Sequence, residues 1–191
     1  MTVHVTRLLP VVGLSVALAA AGSSRTAAQQ PTVDFTVSGT STIRGWTCSA
    51  RGTVVVTPGG GKPVPGFAGG VQAATVTVPV RGFMCPNEEM QGHLLEAMKA
   101  DKFSEIVFRL ERYEGAGPAV EATGQMTITG VTQPVSFPVT LRESPQGVQV
   151  EGNTRLDMTT YGIVPPTVML GALKVAPQIR IVFKGLVPAG R

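Results

Sequence analysis

The sequence has few of the side chains from which catalytic and metal sites are built. Its 191 residues include two histidines, two cysteines and one tryptophan, and aromatic residues make up only 5%. Outside the N-terminal segment His93 is the only histidine, and it has no orienting partner of the kind that catalysis needs. The spacing of Cys48 and Cys85 is not that of a zinc site. We therefore expect no metal and no cofactor.

Catalytic motifs are also absent. No serine lies in a nucleophile elbow, and the glycines of residues 58–63, "PGGGKP", do not stand between a strand and a helix as a phosphate loop does. The carboxylates of Glu88, Glu89, Glu96 and Asp101 all fall in or beside one predicted helix. Acid–base catalysis needs carboxylates in different environments, so a solvated surface explains these better. We expect a protein that is not an enzyme.

No apolar run is long enough to span a bilayer. The longest, Leu8–Gly22, has 15 residues and contains Pro10, whereas a spanning helix needs roughly 20. This run follows a weakly basic start and precedes small residues, which predicts a cleaved signal peptide over residues 1–28. No cysteine lies near the cleavage region, which excludes a lipoprotein. The mature domain is then residues 29–191, with a periplasmic or secreted location.

The charge of the predicted mature chain is nearly balanced. Removing Arg7 and Arg25 from the 16 basic residues leaves 14, against 12 acidic residues. These charges form no basic cluster along the sequence, whereas nucleic-acid binding requires one. We therefore expect no nucleic-acid partner.

Most of the remaining sequence alternates apolar and polar residues, the pattern of half-buried strands. Glycine and proline interrupt it, above all in the Pro58–Gly70 loop, which we expect to hold no regular structure and to be flexible over residues 58–63. About eight strands are predicted: Thr32–Thr40, Trp46–Thr57, Val71–Gly82, Ile106–Tyr113, Val120–Thr129, Val135–Leu141, Val148–Met158 and Ile179–Val187. The segment between the last two strands is expected to be irregular, with room for a short helix.

One segment changes to helical spacing. Residues 87–100 place Met90, Leu94, Leu95 and Met98 on one stripe, after Asn87 as a capping residue and with Lys99 in the last turn. The fold predicted is therefore all-β, with one inserted helix. Sequential antiparallel strands favour closure into an eight-stranded barrel because closure removes exposed edges. A two-sheet sandwich is the alternative that this pattern leaves open.

The two cysteines are expected to form a disulfide. A pair of cysteines in an exported chain favours one. Cys48 opens the second predicted strand and Cys85 follows the third, so an antiparallel hairpin brings them together at its open end.

Five stretches, in order, resemble a known family. They are "TSTIRGW", "HLLEAMKADKFSEIVFRL", "GQMTITGVTQPVSFPVTL", "TTYGI" and "QIRIVFKGLV". Together they resemble the YceI-like family of lipocalin-like, exported bacterial proteins over about residues 32–187. Gly124–Leu141 is the most specific match, to a pattern of the type L-T-I-x-G-V-T-x-P-V. Where the family often has an Arg-x-Asp-Phe-Gly run, residues 158–162 are "MTTYG", so the role of that charged pair is not carried over.

The resemblance implies a lipocalin-like barrel whose apolar lumen binds a polyisoprenoid or another amphiphilic lipid chain. Strand alternation then selects eleven lumen residues: Phe35, Val37, Val78, Phe108, Leu110, Met126, Ile128, Phe137, Val139, Ile181 and Phe183. A ligand-free structural or stress-protective barrel is the alternative function, and a homodimer is a further open possibility. An enzyme would require His93 and acidic groups to converge at the mouth of a cavity.

Overall fold

The computed structural model describes residues 30–190, so the predicted signal peptide lies outside the described residues. These residues form nine strands and one α-helix, together with three short 3-10 helices. The strands are β1 (Thr32–Ser41), β2 (Gly45–Pro58), β3 (Val71–Pro79), β4 (Glu105–Ala116), β5 (Ala119–Ile128), β6 (Val131–Ser144), β7 (Gly147–Asp157), β8 (Thr167–Val168) and β9 (Leu173–Val187). The α-helix, α1 (Glu88–Ala97), lies between β3 and β4.

Eight long antiparallel strands close into a barrel. Each strand from β1 to β6 pairs with the next, β7 pairs with β9, and β9 pairs with β1. In the closing ladder Phe35 lies opposite Phe183 and Val37 opposite Ile181. The short β8 pairs only with β9. The predicted eight-stranded barrel is therefore confirmed, and the sandwich alternative is wrong.

The inserted helix is confirmed, with a different end. Asn87 caps it, because its Oδ1 accepts a hydrogen bond of 2.9 Å from the N–H of Met90. The predicted span ran to residue 100, but α1 ends at Ala97. Lys99 has a left-handed backbone with φ of 50°, which stops the helix and places Lys99 outside its last turn.

Strands β3, β4, β6 and β9 have ends that differ from the predicted ones by three residues or more. β3 stops at Pro79, and residues 80–82 form a 3-10 turn. β9 begins at Leu173, six residues before the expected start, and includes Pro177. The β1–β9 register shifts between Gly39 and Ser41, where β9 has the extra residues. Pro177 therefore lies within a bulge of β9, where its missing N–H interrupts no ladder. The segment between Met158 and Ile179, expected to be irregular, holds β8, two 3-10 helices and the first residues of β9.

The barrel wall is split near one end. β6 pairs with β7 only from Val139 onward, so its first eight residues have no partner on that side. The 3-10 helix Met158–Tyr161 covers this split, and the Thr129 hydroxyl donates to the Tyr161 carbonyl. Tyr161 is 1% exposed. Within the "MTTYG" run, the buried side chains of Met158 and Tyr161 thus fill the gap in the wall.

No helix within residues 30–190 is both long and apolar enough to cross a membrane.

Candidate functional site

The barrel encloses a continuous cavity of about 470 Å³. All eight long strands contribute to its lining, which is almost entirely aliphatic and aromatic. The cavity exists because inward side chains of a barrel this size only just fill it, and many inward positions here are Val, Ala or Gly. Its volume lies within the range of small-molecule sites.

All eleven residues that alternation placed in the lumen line this cavity: Phe35, Val37, Val78, Phe108, Leu110, Met126, Ile128, Phe137, Val139, Ile181 and Phe183. That they contact a ligand stays a prediction. The list omitted the inward side chains of β2 and β7, among them Val54, Val56 and Val150. These residues follow the same alternation of inward and outward side chains, so they could have been predicted from the sequence.

Four phenylalanine rings form a belt along the lumen wall. Ring centroids are 6.1 Å apart for Phe35 and Phe183, 5.6 Å for Phe183 and Phe137, and 5.1 Å for Phe137 and Phe108. Phe183 lies over Gly152 of β7, where an added Cβ would be 2.3 Å from Cζ of the ring. Because that glycine has no side chain, the ring lies against the wall and leaves the lumen open.

The loop between β2 and β3 closes one end of the barrel. Val64 and Phe67 turn inward, are 7% and 3% exposed, and line the cavity. Polar groups hold the loop in place: the Tyr113 hydroxyl accepts from the N–H of Val71 at 3.0 Å, and Glu143 accepts from the N–H of Gly66 at 2.6 Å. The part of the loop that follows residues 58–63 is anchored, because its two apolar side chains are buried in the core.

The opposite end is the mouth of the cavity. It lies between α1 on one side and the β1–β2 turn with residues 163–175 on the other. The apolar stripe of α1 faces inward through Met90 and Leu94. Most polar side chains of the lining are found around this end, namely Ser41, Arg44, Asn87, Glu89 and His93. At the closed end the hydroxyl of Tyr113 is taken up by hydrogen bonds with the loop backbone. The cavity is thus closed and apolar at one end, and polar at its mouth.

His93 and Glu89 both line the mouth, one helical turn apart on α1. His93 is half-buried and Glu89 is exposed. This is the convergence that an enzyme interpretation required. The Ser41 hydroxyl also lines the mouth, but it donates to the Arg44 carbonyl at 2.8 Å and not to His93. The side chains of Glu89 and His93 suit contacts with the polar end of a ligand better than they suit bond cleavage.

The disulfide between Cys48 and Cys85 is present, with Cα atoms 4.4 Å apart, as predicted. An isolated bridge between Ser49 and Met84, with N–O distances of 2.8 and 2.7 Å, brings the two cysteines together after β3 has ended. Cys48 is 2% exposed and lines the cavity. The bond therefore fastens the segment that leads into α1 to the barrel wall at the mouth.

Two ionisable groups near the wall split have shifted pKa values. Hydrogen bonds from the Thr159 hydroxyl and N–H lower the pKa of the Asp157 carboxyl, with a further contribution from Gln178. Burial raises the pKa of the Tyr161 phenol. Both shifts favour the protonation states found at neutral pH, which are an ionised Asp157 carboxylate and a neutral Tyr161 phenol.

Within residues 30–190, no three His, Cys, Asp or Glu side chains cluster closely enough to hold a metal ion.

The family of the chain follows from its sequence. A model of the YceI-like domain matches residues 24–185. The chain belongs to the YceI-like family. No curated protein sequence matches it.

Solved structures share this YceI-like barrel. BcnA of Burkholderia cenocepacia matches with a TM-score of 0.65 and 18% identity, over 80% of this chain and 96% of that one. A polyisoprenoid-binding domain from Saccharophagus degradans, implicated in plant cell wall breakdown, matches with a TM-score of 0.60 and 12% identity, over 83% and 94%. The YceI protein of Campylobacter jejuni matches with a TM-score of 0.52 and 16% identity, over 69% of this chain and 79% of that one. At these identities the similarity establishes a shared fold.

Proposed function

We propose that this YceI-like protein is a non-enzymatic carrier that holds a polyisoprenoid or a similar amphiphilic lipid chain in its lumen. The observation that carries the proposal is the continuous apolar cavity, closed by Val64 and Phe67 and open beside α1. Burial of an apolar chain there is worth about 25 cal/mol per Å² removed from water. The structural neighbour described as a polyisoprenoid-binding domain supports the same ligand class.

The two ends of the cavity suggest how the ligand lies. The tail occupies the lumen, passes the phenylalanine belt and points towards Phe67. The polar end stays at the mouth, within reach of Arg44, Asn87 and His93. An amphiphile fits this division better than a wholly apolar molecule, because a buried polar group without partners is costly.

Export is the second part of the proposal. A buried disulfide between Cys48 and Cys85 suits an oxidising compartment. We propose a periplasmic or secreted location, reached through the signal peptide predicted for residues 1–28. A ligand-free structural barrel is the competing function, and an apolar cavity of this volume weighs against it.

Native mass spectrometry of protein purified from its own host tests the proposal. We expect a bound molecule with the mass of a prenyl or related lipid, or uptake of an added prenyl alcohol by the delipidated protein. A protein that carries no lipid and takes up no prenyl chain would be the ligand-free barrel instead.

A further inference from the structure

Three large apolar side chains are exposed at the mouth of the barrel. Ile43 is 60% exposed, Val164 is 79% exposed and Leu170 is fully exposed, at 110%. Each lies within two residues of a side chain that lines the cavity, yet none of the three lines it. Exposed apolar side chains that gather at one place mark an interaction surface. Their position at the mouth links that surface to the passage of a ligand.

These side chains stand on residues 41–45 and 163–174, which we call the lip. The N–H of Thr42 donates to the Lys174 carbonyl at 3.0 Å, and the Thr42 hydroxyl donates to the Ala172 carbonyl at 2.9 Å. The Thr42 hydroxyl also accepts from the N–H of Lys174 at 3.2 Å. The β1–β2 turn and the β8–β9 hairpin are therefore one hydrogen-bonded unit.

Leu170 occupies the tip of that hairpin in an unfavourable backbone conformation. Its φ is 55° and its ψ is 31°, in the left-handed region that favours glycine or asparagine. Its side chain packs against nothing within residues 30–190, as its full exposure shows. Neither backbone preference nor packing within the barrel explains a leucine here. A contact outside the barrel does.

The charges of the lip have one sign. Arg44 and Lys174 are its charged residues, and no carboxylate falls within residues 41–45 or 163–174. The ion pairs found in the described part of the chain do not include either of them. Of the acidic residues of α1, Glu89 lines the mouth on the side opposite the lip. Apolar side chains flanked by cations suit a surface of anionic lipid.

We propose that the lip docks the mouth of the barrel onto an anionic lipid bilayer. Ile43, Val164 and Leu170 enter the boundary between head groups and acyl chains, and Arg44 and Lys174 lie at the phosphates. The inference rests on the proposed function, because a lipid cargo has a bilayer as its source or destination. Docking at the mouth lets the chain move between bilayer and lumen without crossing water.

Vesicle binding by the delipidated protein tests the docking surface. We expect co-sedimentation with vesicles of phosphatidylglycerol and phosphatidylethanolamine, and little with vesicles of phosphatidylcholine. The variant Ile43→Ser/Leu170→Asn should bind the anionic vesicles about tenfold more weakly. Asparagine is chosen at position 170 because it tolerates the left-handed backbone there. The variant Arg44→Gln/Lys174→Gln should bind the anionic vesicles more weakly by a similar factor.

The matched control is Val55→Ser/Val182→Ser. It removes two apolar side chains that are 54% and 40% exposed on the outer wall of the barrel, and it should bind vesicles like the unaltered protein. Equal binding by the lip variant and this control would overturn the proposal. So would equal binding to anionic and neutral vesicles, or a dimer in solution that the lip variant converts to a monomer.

A second readout separates the two proposals. Uptake of a prenyl alcohol from detergent micelles should be the same for Ile43→Ser/Leu170→Asn as for the unaltered protein, because neither side chain lines the cavity. Uptake without vesicle binding overturns the docking proposal alone. Vesicle binding without uptake overturns the proposed function, and with it the cargo on which the docking proposal rests.

Discussion

The indole ring of Trp46 lies directly over Gly39. The two residues are partners in the β1–β2 ladder, and an added Cβ at Gly39 would fall 2.6 Å from Cζ2 of the ring. Trp46 lines the cavity at its mouth, and its Nε1 is buried without a hydrogen-bond partner in the described part of the chain. Packing on Gly39, rather than a hydrogen bond, therefore holds the ring in place.

Gly39→Ala should displace this ring. A methyl group at 2.6 Å cannot be accommodated without movement, and overpacking of this kind costs about 1–3 kcal/mol of unfolding free energy. Trp46 is the only tryptophan, so its fluorescence emission reports the displacement directly. Gly45→Ala is the matched control, because its nearest atom would be 3.6 Å away. Unchanged emission and stability in Gly39→Ala would contradict this account of the pair.

The disulfide should contribute a large share of the stability. Cys48 and Cys85 are 37 residues apart, and closing a loop of that length stabilises by roughly 3–4 kcal/mol in the chain-entropy description. We expect Cys48→Ala/Cys85→Ala to lower the unfolding free energy by about that amount in urea titrations. Reductant should destabilise the unaltered protein and leave the double variant unchanged. An equal response of both proteins to reductant would show that the bond is not the cause.

Acid should weaken the corner at Asp157. Its carboxyl pKa is lowered by hydrogen bonds from Thr159 in the folded state, so the stabilisation is present above the unfolded pKa of about 3.9. It is lost as pH falls below that value through the folded pKa. Asp157→Asn keeps a capping side chain but does not titrate. We expect its Tm to lie below that of the unaltered protein at neutral pH and to converge with it in acid. Parallel curves of Tm against pH would refute the assignment.

The barrel and its lumen could be predicted from the sequence because alternation is a local pattern. Inward residues such as Phe137 and Val139 are two apart in one strand, so one period of two assigns both to the lumen. The disulfide was predictable for a similar reason, since an expected hairpin brings Cys48 and Cys85 to its open end. Family resemblance, and not the pattern, supplied the lipid as the class of ligand.

The two ends of the cavity could not be predicted because distant contacts make them. Val64 and Phe67 lie in a loop dominated by glycine and proline, and only the barrel interior explains why they are buried. At the mouth, Arg44 of the β1–β2 turn and the pair Glu89 and His93 of α1 come from two elements far apart in sequence. The early start of β9 was missed because the segment before Ile179 was expected to be irregular, whereas a bulge of β9 accommodates Pro177.

The central claim is that a lipid chain occupies the lumen, and neighbouring alanines of β3 test it most directly. Ala74 faces the cavity and Ala73 faces solvent. Ala74→Phe should fill space that the chain needs, whereas Ala73→Phe adds the same side chain outside. Uptake of a prenyl alcohol, measured by native mass spectrometry on folded proteins, should persist in the unaltered protein and Ala73→Phe and fall sharply in Ala74→Phe. Equal uptake by Ala74→Phe and Ala73→Phe, or no uptake by the unaltered protein, would contradict a lumen-bound chain.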